Sequence, residues 1–222
     1  MSKVDDKVQQ DIKDLVQDIS KNPDHWQAYV DLISLLTVAG ELVLAEDLAL
    51  KSLSLFKDND HAQQELLYAT GNVYYVAADY GRAATFFDKI TDTKLKYDAI
   101  VMQAQSFYAQ NKFKQALVFA LTAVQQNHED VKAQVLLGNI WLSLGDLVKA
   151  KSAFNAAIKL DDQDYAANFG RGLIEQVSAP KNNPWLMKAK QVNSKQYQTD
   201  AARLDDLIAV MLGGQDNGSE SE

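Results

Sequence analysis

Near the N-terminus Val4, Val8, Ile12, Leu15, Val16 and Ile19 form one apolar stripe at helical spacing, with Asp, Lys and Gln on the opposite side. The pattern predicts a solvated helix with one face to bury. Asn22-Pro23 ends it and opens the next, with Asn22 as N-cap and Pro23 at the first helical position. From there to Val177 helical patterns follow one another, and no sustained two-residue alternation bounded by turn signals marks a strand. Within one of them, Leu136 to Asp146, Gly138 interrupts an apolar run. An interior glycine costs a helix about 1 kcal/mol against alanine, which points to another chain segment approaching closely there.

Gly138 belongs to a series. Gly71, Ala104, Gly138 and Gly172 are spaced 33, 34 and 34 residues apart. Tyr74, Phe107 and Trp141 lie three residues after the small residue, and Ala83, Ala116 and Ala150 lie twelve after. Asp79-Tyr80, Lys112-Phe113 and Asp146-Leu147 mark the break between two helical patterns in each unit. Phe87, Ala120 and Phe154, then Ile90, Ala123 and Ala157, keep the same step.

This series resembles the tetratricopeptide repeat, two antiparallel helices in 34 residues with a small residue inside the first. Val131–Asp164 carries Leu137, Gly138, Trp141, Gly145, Ala150, Phe154, Ala157 and Leu160 at the family's places, and departs from it at Asp162, where proline is usual. Tyr97–Asp130 is a second copy, with Asn111 in the turn, and Gln64–Lys96 a third, one residue short. Trp26–Asn59 is weaker: Gly40, Leu42 and Ala45 fit, but Ile33 takes the small position and Ser52 a later alanine position. A fifth copy starts at Tyr165 and loses the pattern after Val177. The resemblance implies an all-α fold, a right-handed superhelical solenoid of antiparallel helix pairs with four to five repeats and N- and C-terminal capping helices. In it Gly138 and Ala150 face one another within a hairpin, and Lys57–Gln63 is a long connection.

The expected organisation is a capping helix over residues 1–22, repeats over 23–177, a helical cap over 178–212 and an acidic disordered tail over 213–222. In the cap, Asn183-Pro184 opens a helix with Trp185, Ala189 and Val192. Thr199 caps another, whose narrow face is Leu204, Leu207, Ile208 and Met211 and which ends at Gly213-Gly214. That last stripe is expected to cover the open end of the solenoid; the alternatives are that it folds back into the groove or docks on a second molecule.

Composition narrows the function. The net charge of −8 and pI near 4.9 argue against nucleic acid as a partner. No apolar stretch approaches the ~20 residues of a membrane span, and no signal-peptide core opens the chain. The absence of cysteine removes disulfides, thiolate catalysis and Cys-ligated metals. A cytoplasmic protein with no cofactor and no metal fits these features. His25, His61 and His128 fall in connections between repeats, without the spacing of a helical metal site. Asp161-Asp162-Gln163-Asp164 lacks the glycine and distant glutamate of a calcium loop and reads as turn and helix cap. Gly170-Arg171-Gly172 is not a dinucleotide fingerprint, having no preceding strand and no third glycine. No catalytic constellation emerges, so the chain is not expected to be an enzyme.

The resemblance also implies a concave groove lined by residues 2, 5, 9, 12 and 13 of each repeat. These are Gln27, Val30, Ser34, Thr37 and Val38, then Glu65, Tyr68, Asn72, Tyr75 and Val76, then Asp98, Val101, Gln105, Tyr108 and Ala109. Lys132, Val135, Asn139, Leu142 and Ser143 follow, then Ala166, Phe169, Leu173, Gln176 and Val177. Tyr68, Asn72, Tyr75, Val101, Gln105, Tyr108, Val135, Asn139 and Leu142 are the candidate partner-binding residues. Lys132 is the one basic side chain in these sets, so a clamp for a C-terminal carboxylate is not expected. Aromatics, aliphatics and amides suit a partly apolar peptide or helix. The function implied is a non-catalytic scaffold or adaptor binding a protein or peptide. The alternatives are a regulatory or assembly subunit of an enzyme complex and, against the acidic charge, an RNA-binding helical repeat. Self-association is possible.

Overall fold

The structure, a computed structural model, describes residues 3–178 and 183–203. It is all-α, with twelve helices and no strand among the described residues. The chain falls into two compact units, Met1–Asn111 and Lys112–Glu222.

In the first unit α1 (Lys3–Lys21) packs on α2 (Trp26–Val38), which pairs with α3 (Leu42–Leu55). Helix α4 (Asp60–Val76) packs on both and pairs with α5 (Tyr80–Asp88), and α5 packs on α6 (Lys96–Ala109). Ile12, Leu15 and Ile19 of α1 rest on a core containing Leu32, Ile33, Ala45, Ala49 and Leu66, as the stripe predicts. Val16 is a correction: it stays 47% exposed, because α2 covers the track 12, 15, 19 and leaves its neighbour in water. Asn22 is also not the N-cap of α2. His25 N–H donates to the Asn22 carbonyl at 3.0 Å, closing a turn with Pro23 inside it, and the Asn22 side chain bonds back to Asp18. Helix α2 therefore starts at Trp26. Nor is Lys57–Gln63 a long connection. Asn59 accepts from Ala62 N–H at 3.1 Å and α4 begins at Asp60, so the extra residues add a helical turn, and His61 lies in that turn rather than in a loop.

In the second unit α7 (Phe113–Gln126) packs on α8 (Val131–Ser143), α8 pairs with α9 (Leu147–Leu160), and α10 (Tyr165–Ser178) packs on α8 and α9. Helix α11 (Pro184–Val192) packs on α10, and α12 (Ser194–Ala201) on α11. Asn183 caps α11 as predicted, accepting from Leu186 N–H at 3.2 Å with Pro184 in the first turn. Thr199 does not cap a helix. Asn193 accepts from Gln196 N–H at 3.0 Å, so α12 starts at Ser194 and Thr199 lies inside it. The stripe Leu204, Leu207, Ile208 and Met211 lies outside the described residues.

The glycines have a specific neighbour, and it is not the residue expected. A Cβ on Gly138 would stand 2.6 Å from the ring of Phe154, so the ring, rather than Ala150, occupies the space across the hairpin. Sixteen residues separate the two. The same spacing sets Gly71 against Phe87, at 2.5 Å. Phe154 also lies against Gly170 of α10, and Gly172 faces Leu186 of α11 at 2.6 Å. The aromatic ring is thus a fully buried knob, and glycine is the hole that lets the helix axes approach.

The hairpin turns share one conformation. Gly40, Ala78, Asn111 and Gly145 have φ of 80°, 60°, 59° and 80°. Behind them Glu41 N–H reaches the Leu36 carbonyl, Asp79 the Tyr74 carbonyl and Asp146 the Trp141 carbonyl, at 2.9 to 3.0 Å. A left-handed residue followed by that bond is the Schellman helix stop. Asp79 and Asp146 then cap the following helices. Repeat one is tied to repeat two by a polar network: Tyr74 Oη and Arg82 each donate to Glu46 at 2.9 Å, and the Arg82 guanidinium lies 4.1 Å over the Tyr74 ring.

Candidate functional site

Tyr68, Asn72 and Tyr75 stand on α4 at i, i+4 and i+7, which places them on one helical face. Val101, Gln105 and Tyr108 repeat that spacing on α6. Val135, Asn139 and Leu142 repeat it on α8, in the second unit. All nine side chains are half-buried. Their neighbours at 66, 69 and 73, or at 133, 136, 137 and 140, go fully into the core. The structure therefore brings each trio onto one face and leaves each partly open to water.

Part of the aromatic surface is used internally. The Tyr68 ring meets Phe87 edge-on at 5.6 Å, and Tyr75 meets Tyr80 at 5.3 Å. Burial pushes both phenols up. The nearby Asp98 and Glu65 charges push Tyr68 further, while a hydrogen bond with Asn72 opposes them. Tyr68, Tyr75 and Met102 all lie on the cluster built around Phe87 and Ala99, which joins α4, α5 and α6. In the second unit Val135 and Leu142 lie on the cluster around Phe154. There Phe169, a fifth-copy groove position, is buried under Tyr197 of α12, and Tyr165 donates to Asp200 at 2.8 Å.

Two clefts in the first unit extend beyond the candidate set. One, of about 370 Å³, opens between α1 and α2 and is lined by Leu15, Asp31, Ser34, Leu35 and Val38. Ser34 and Val38 are groove positions. Leu15, Asp31 and Leu35 are not, and the α1 stripe was the signal for Leu15. The other, of about 550 Å³, is polar and lined by Asp60, His61, Gln63, Gln64, Thr91 and Asp92. It exists because α4 gains a turn and α5 stops at Asp88; Gln64 holds the chain beyond, accepting from Thr91 and Asp92 N–H at 2.7 and 2.9 Å. The signal was the 38-residue step from Ile33 to Gly71 in place of 34.

The histidines do not assemble. His25 pairs with Asp18 at 2.6 Å, His61 sits edge-on to Trp26, and His128 is exposed. Among the described residues no three His, Asp or Glu side chains are placed to hold a metal ion. Asp161 and Asp164 accept from Gln163 and Ala167 N–H, the turn and cap roles their sequence suggests.

Residues 101–165 match the tetratricopeptide repeat family model. That stretch carries tetratricopeptide repeats, and the described residues have the fold of tetratricopeptide proteins. Solved structures of such proteins share this fold. The tetratricopeptide protein YrrB, described as having an unusual peptide-binding site, is 23% identical, covering 85% of this chain and 97% of its own, with a TM-score of 0.61. PilF of Pseudomonas aeruginosa is 14% identical over 89% of this chain and 90% of its own, TM-score 0.71. MamA of Desulfovibrio magneticus is 22% identical over 80% and 98%, TM-score 0.63. Among curated proteins none matches significantly. The tetratricopeptide fold supports a protein–protein interaction module in general terms, and repeats of this kind are generally non-catalytic scaffolds. No helix among the described residues is long and apolar enough to cross a membrane.

Proposed function

We propose that this chain is a non-catalytic cytoplasmic scaffold or adaptor whose first helices hold a partly apolar peptide or helix. The observation that carries the reading is the recurrence of one face on α4, α6 and α8. Each offers an apolar or aromatic side chain, an amide four residues on and an apolar or aromatic side chain three beyond. Half-buried aromatics give contact area at low entropic cost, and amides can bond a partner's backbone. YrrB, which shares the fold, is described with a peptide-binding site.

The test is a Tyr68→Ala, Tyr75→Ala, Tyr108→Ala variant. A partner recovered by affinity purification and identified by mass spectrometry is titrated against it. Hot-spot truncations of this kind cost about 1–2 kcal/mol each. The reading requires at least a tenfold weaker complex with the helical circular dichroism retained. Wild-type affinity in the folded variant would move the site to the second helices or the loops.

A further inference from the structure

Charge is divided unevenly along the chain. Residues 1–111 hold seventeen Asp and Glu against ten Lys and Arg, a net of −7. Residues 112–222 hold thirteen against twelve, a net of −1. Within the first unit the asymmetry reaches the candidate surface. The groove positions of α2, α4 and α6 include no lysine or arginine, and they include Glu65 and Asp98. Glu65 stands one helical turn before Tyr68 on α4, and Asp98 is next to Ala99 of the cluster on which Tyr68 packs, so both carboxylates lie close to one aromatic ring. The cleft between α1 and α2 adds Asp31 beside Leu35 and the 84% exposed Val38. The surface is therefore apolar and aromatic with carboxylates as its charged groups.

We propose that the first unit's groove binds a cationic amphipathic segment, a peptide whose leucine-like side chains rest on Tyr68, Leu35 and Val38 while its lysines or arginines meet Glu65, Asp98 and Asp31. This rests on the groove reading above and names its partner class. A carboxylate-ended or acidic peptide would meet like charge on every one of these positions, and like-charge juxtaposition is the means by which interfaces reject wrong partners. A cation over Tyr68 also gains from the ring's negative face. The half-exposed setting means that attraction is screened by salt.

The experiment is fluorescence anisotropy with two labelled probes of about fourteen residues, four helical turns, one of Leu and Lys in amphipathic order and one with Glu in place of Lys. The full chain should bind the Leu/Lys probe at least about tenfold tighter than the Leu/Glu probe, a difference of ~1.4 kcal/mol. Glu65→Lys with Asp98→Lys should remove that preference, and Glu65→Gln with Asp98→Asn should reduce it with less risk to the fold. The control is Asp47→Lys with Asp58→Lys, which changes net charge equally at exposed positions on and just after the second helix α3 and should stay within about twofold of wild type. Equal affinity for both probes overturns the proposal. So does an equal loss in the control, which would mean attraction to net charge alone. If the tyrosine variant loses the Leu/Lys probe but groove charge reversal does not, the groove stands and its charge class falls. If neither variant changes binding, both fall.

Discussion

The hairpin α2–α3 and the hairpin α8–α9 solve one packing problem with opposite residues. In α8–α9 the first helix contributes a hole, Gly138, and the second a knob, Phe154, sixteen residues later. In α2–α3 the residue in the glycine's register is Ile33, fully buried, and sixteen residues later stands Ala49, also fully buried in the same cluster. Large and small have exchanged sides. The repeat does not require a small residue at one place; it requires that the two sides of the hairpin together fill one volume, because interiors are packed without spare space. Gly71 with Phe87 follows the α8–α9 solution, and Gly172 with Leu186 is a related pair, with an aliphatic knob fourteen residues on.

That comparison can be broken most forcefully at its knob. Phe154→Ala should cost about 3–5 kcal/mol, since the ring fills space against glycines on two helices, Gly138 and Gly170. Chemical denaturation with an unchanged midpoint would show that the ring is not a core element. Gly138→Leu should cost at least 1–3 kcal/mol through overpacking. A sharper test swaps the solutions. Ala49→Phe alone should destabilise by a similar ~1–3 kcal/mol, and adding Ile33→Gly should recover a measurable part of that loss. A double variant no better than the sum of its parts would separate Ile33 from Ala49.

Smaller effects are expected at the turns of α4–α5 and α8–α9, one in each unit, which share a conformation and differ in residue. Gly145 adopts its positive φ without strain, whereas Ala78 holds φ 60° with a Cβ. Ala78→Gly should stabilise by up to about 1 kcal/mol and Gly145→Ala should cost about the same. Thermal melts that move in the same direction for both would contradict the shared turn geometry.

The smallest effect is with pH. The Asp79 carboxylate is held below its ordinary range by the Arg82 backbone N–H and then its guanidinium, and Asp146 is held below by the Lys149 side chain and then its backbone N–H. A lowered folded value means stability present above about pH 4 and lost as pH falls through that value. The tyrosines behave in the other sense. Burial raises Tyr68, Tyr74, Tyr75 and Tyr165 above 10, with Glu46 and Asp200 adding to Tyr74 and Tyr165. Their contribution is full below pH 10 and disappears as pH rises beyond it. Melting temperature against pH should fall on both flanks, and ultraviolet titration should show these phenols ionising late.

Much of this architecture was legible in the sequence because it rests on periodicity. The small-residue series, the alanines and the turn residues recur at a step that only stacked hairpins explain. Ile33 read as a departure because spacing records one position at a time, whereas packing is decided by a pair. Val16 read as core because a helical stripe does not say how wide its partner is. Asn22 and Thr199 read as caps by residue type, but Asn22 closes a turn onto Asp18 and Asn193 caps first. The nine groove candidates were placed by register, and in the structure each trio is half-buried on one helical face. Their internal use, such as Tyr75 against Tyr80, depends on rotamers that no spacing encodes.

The central claim is that the exposed faces of the first helices carry the function. Hydrogen–deuterium exchange of the full chain with and without its purified, identified partner tests it directly, since bound helical faces slow the opening that exchange reports. The account predicts added protection over residues 65–76 and 98–109, with α3 and α5 unchanged. Protection confined to α3, α5, α7 or α9, with α4 and α6 unaltered, would contradict it.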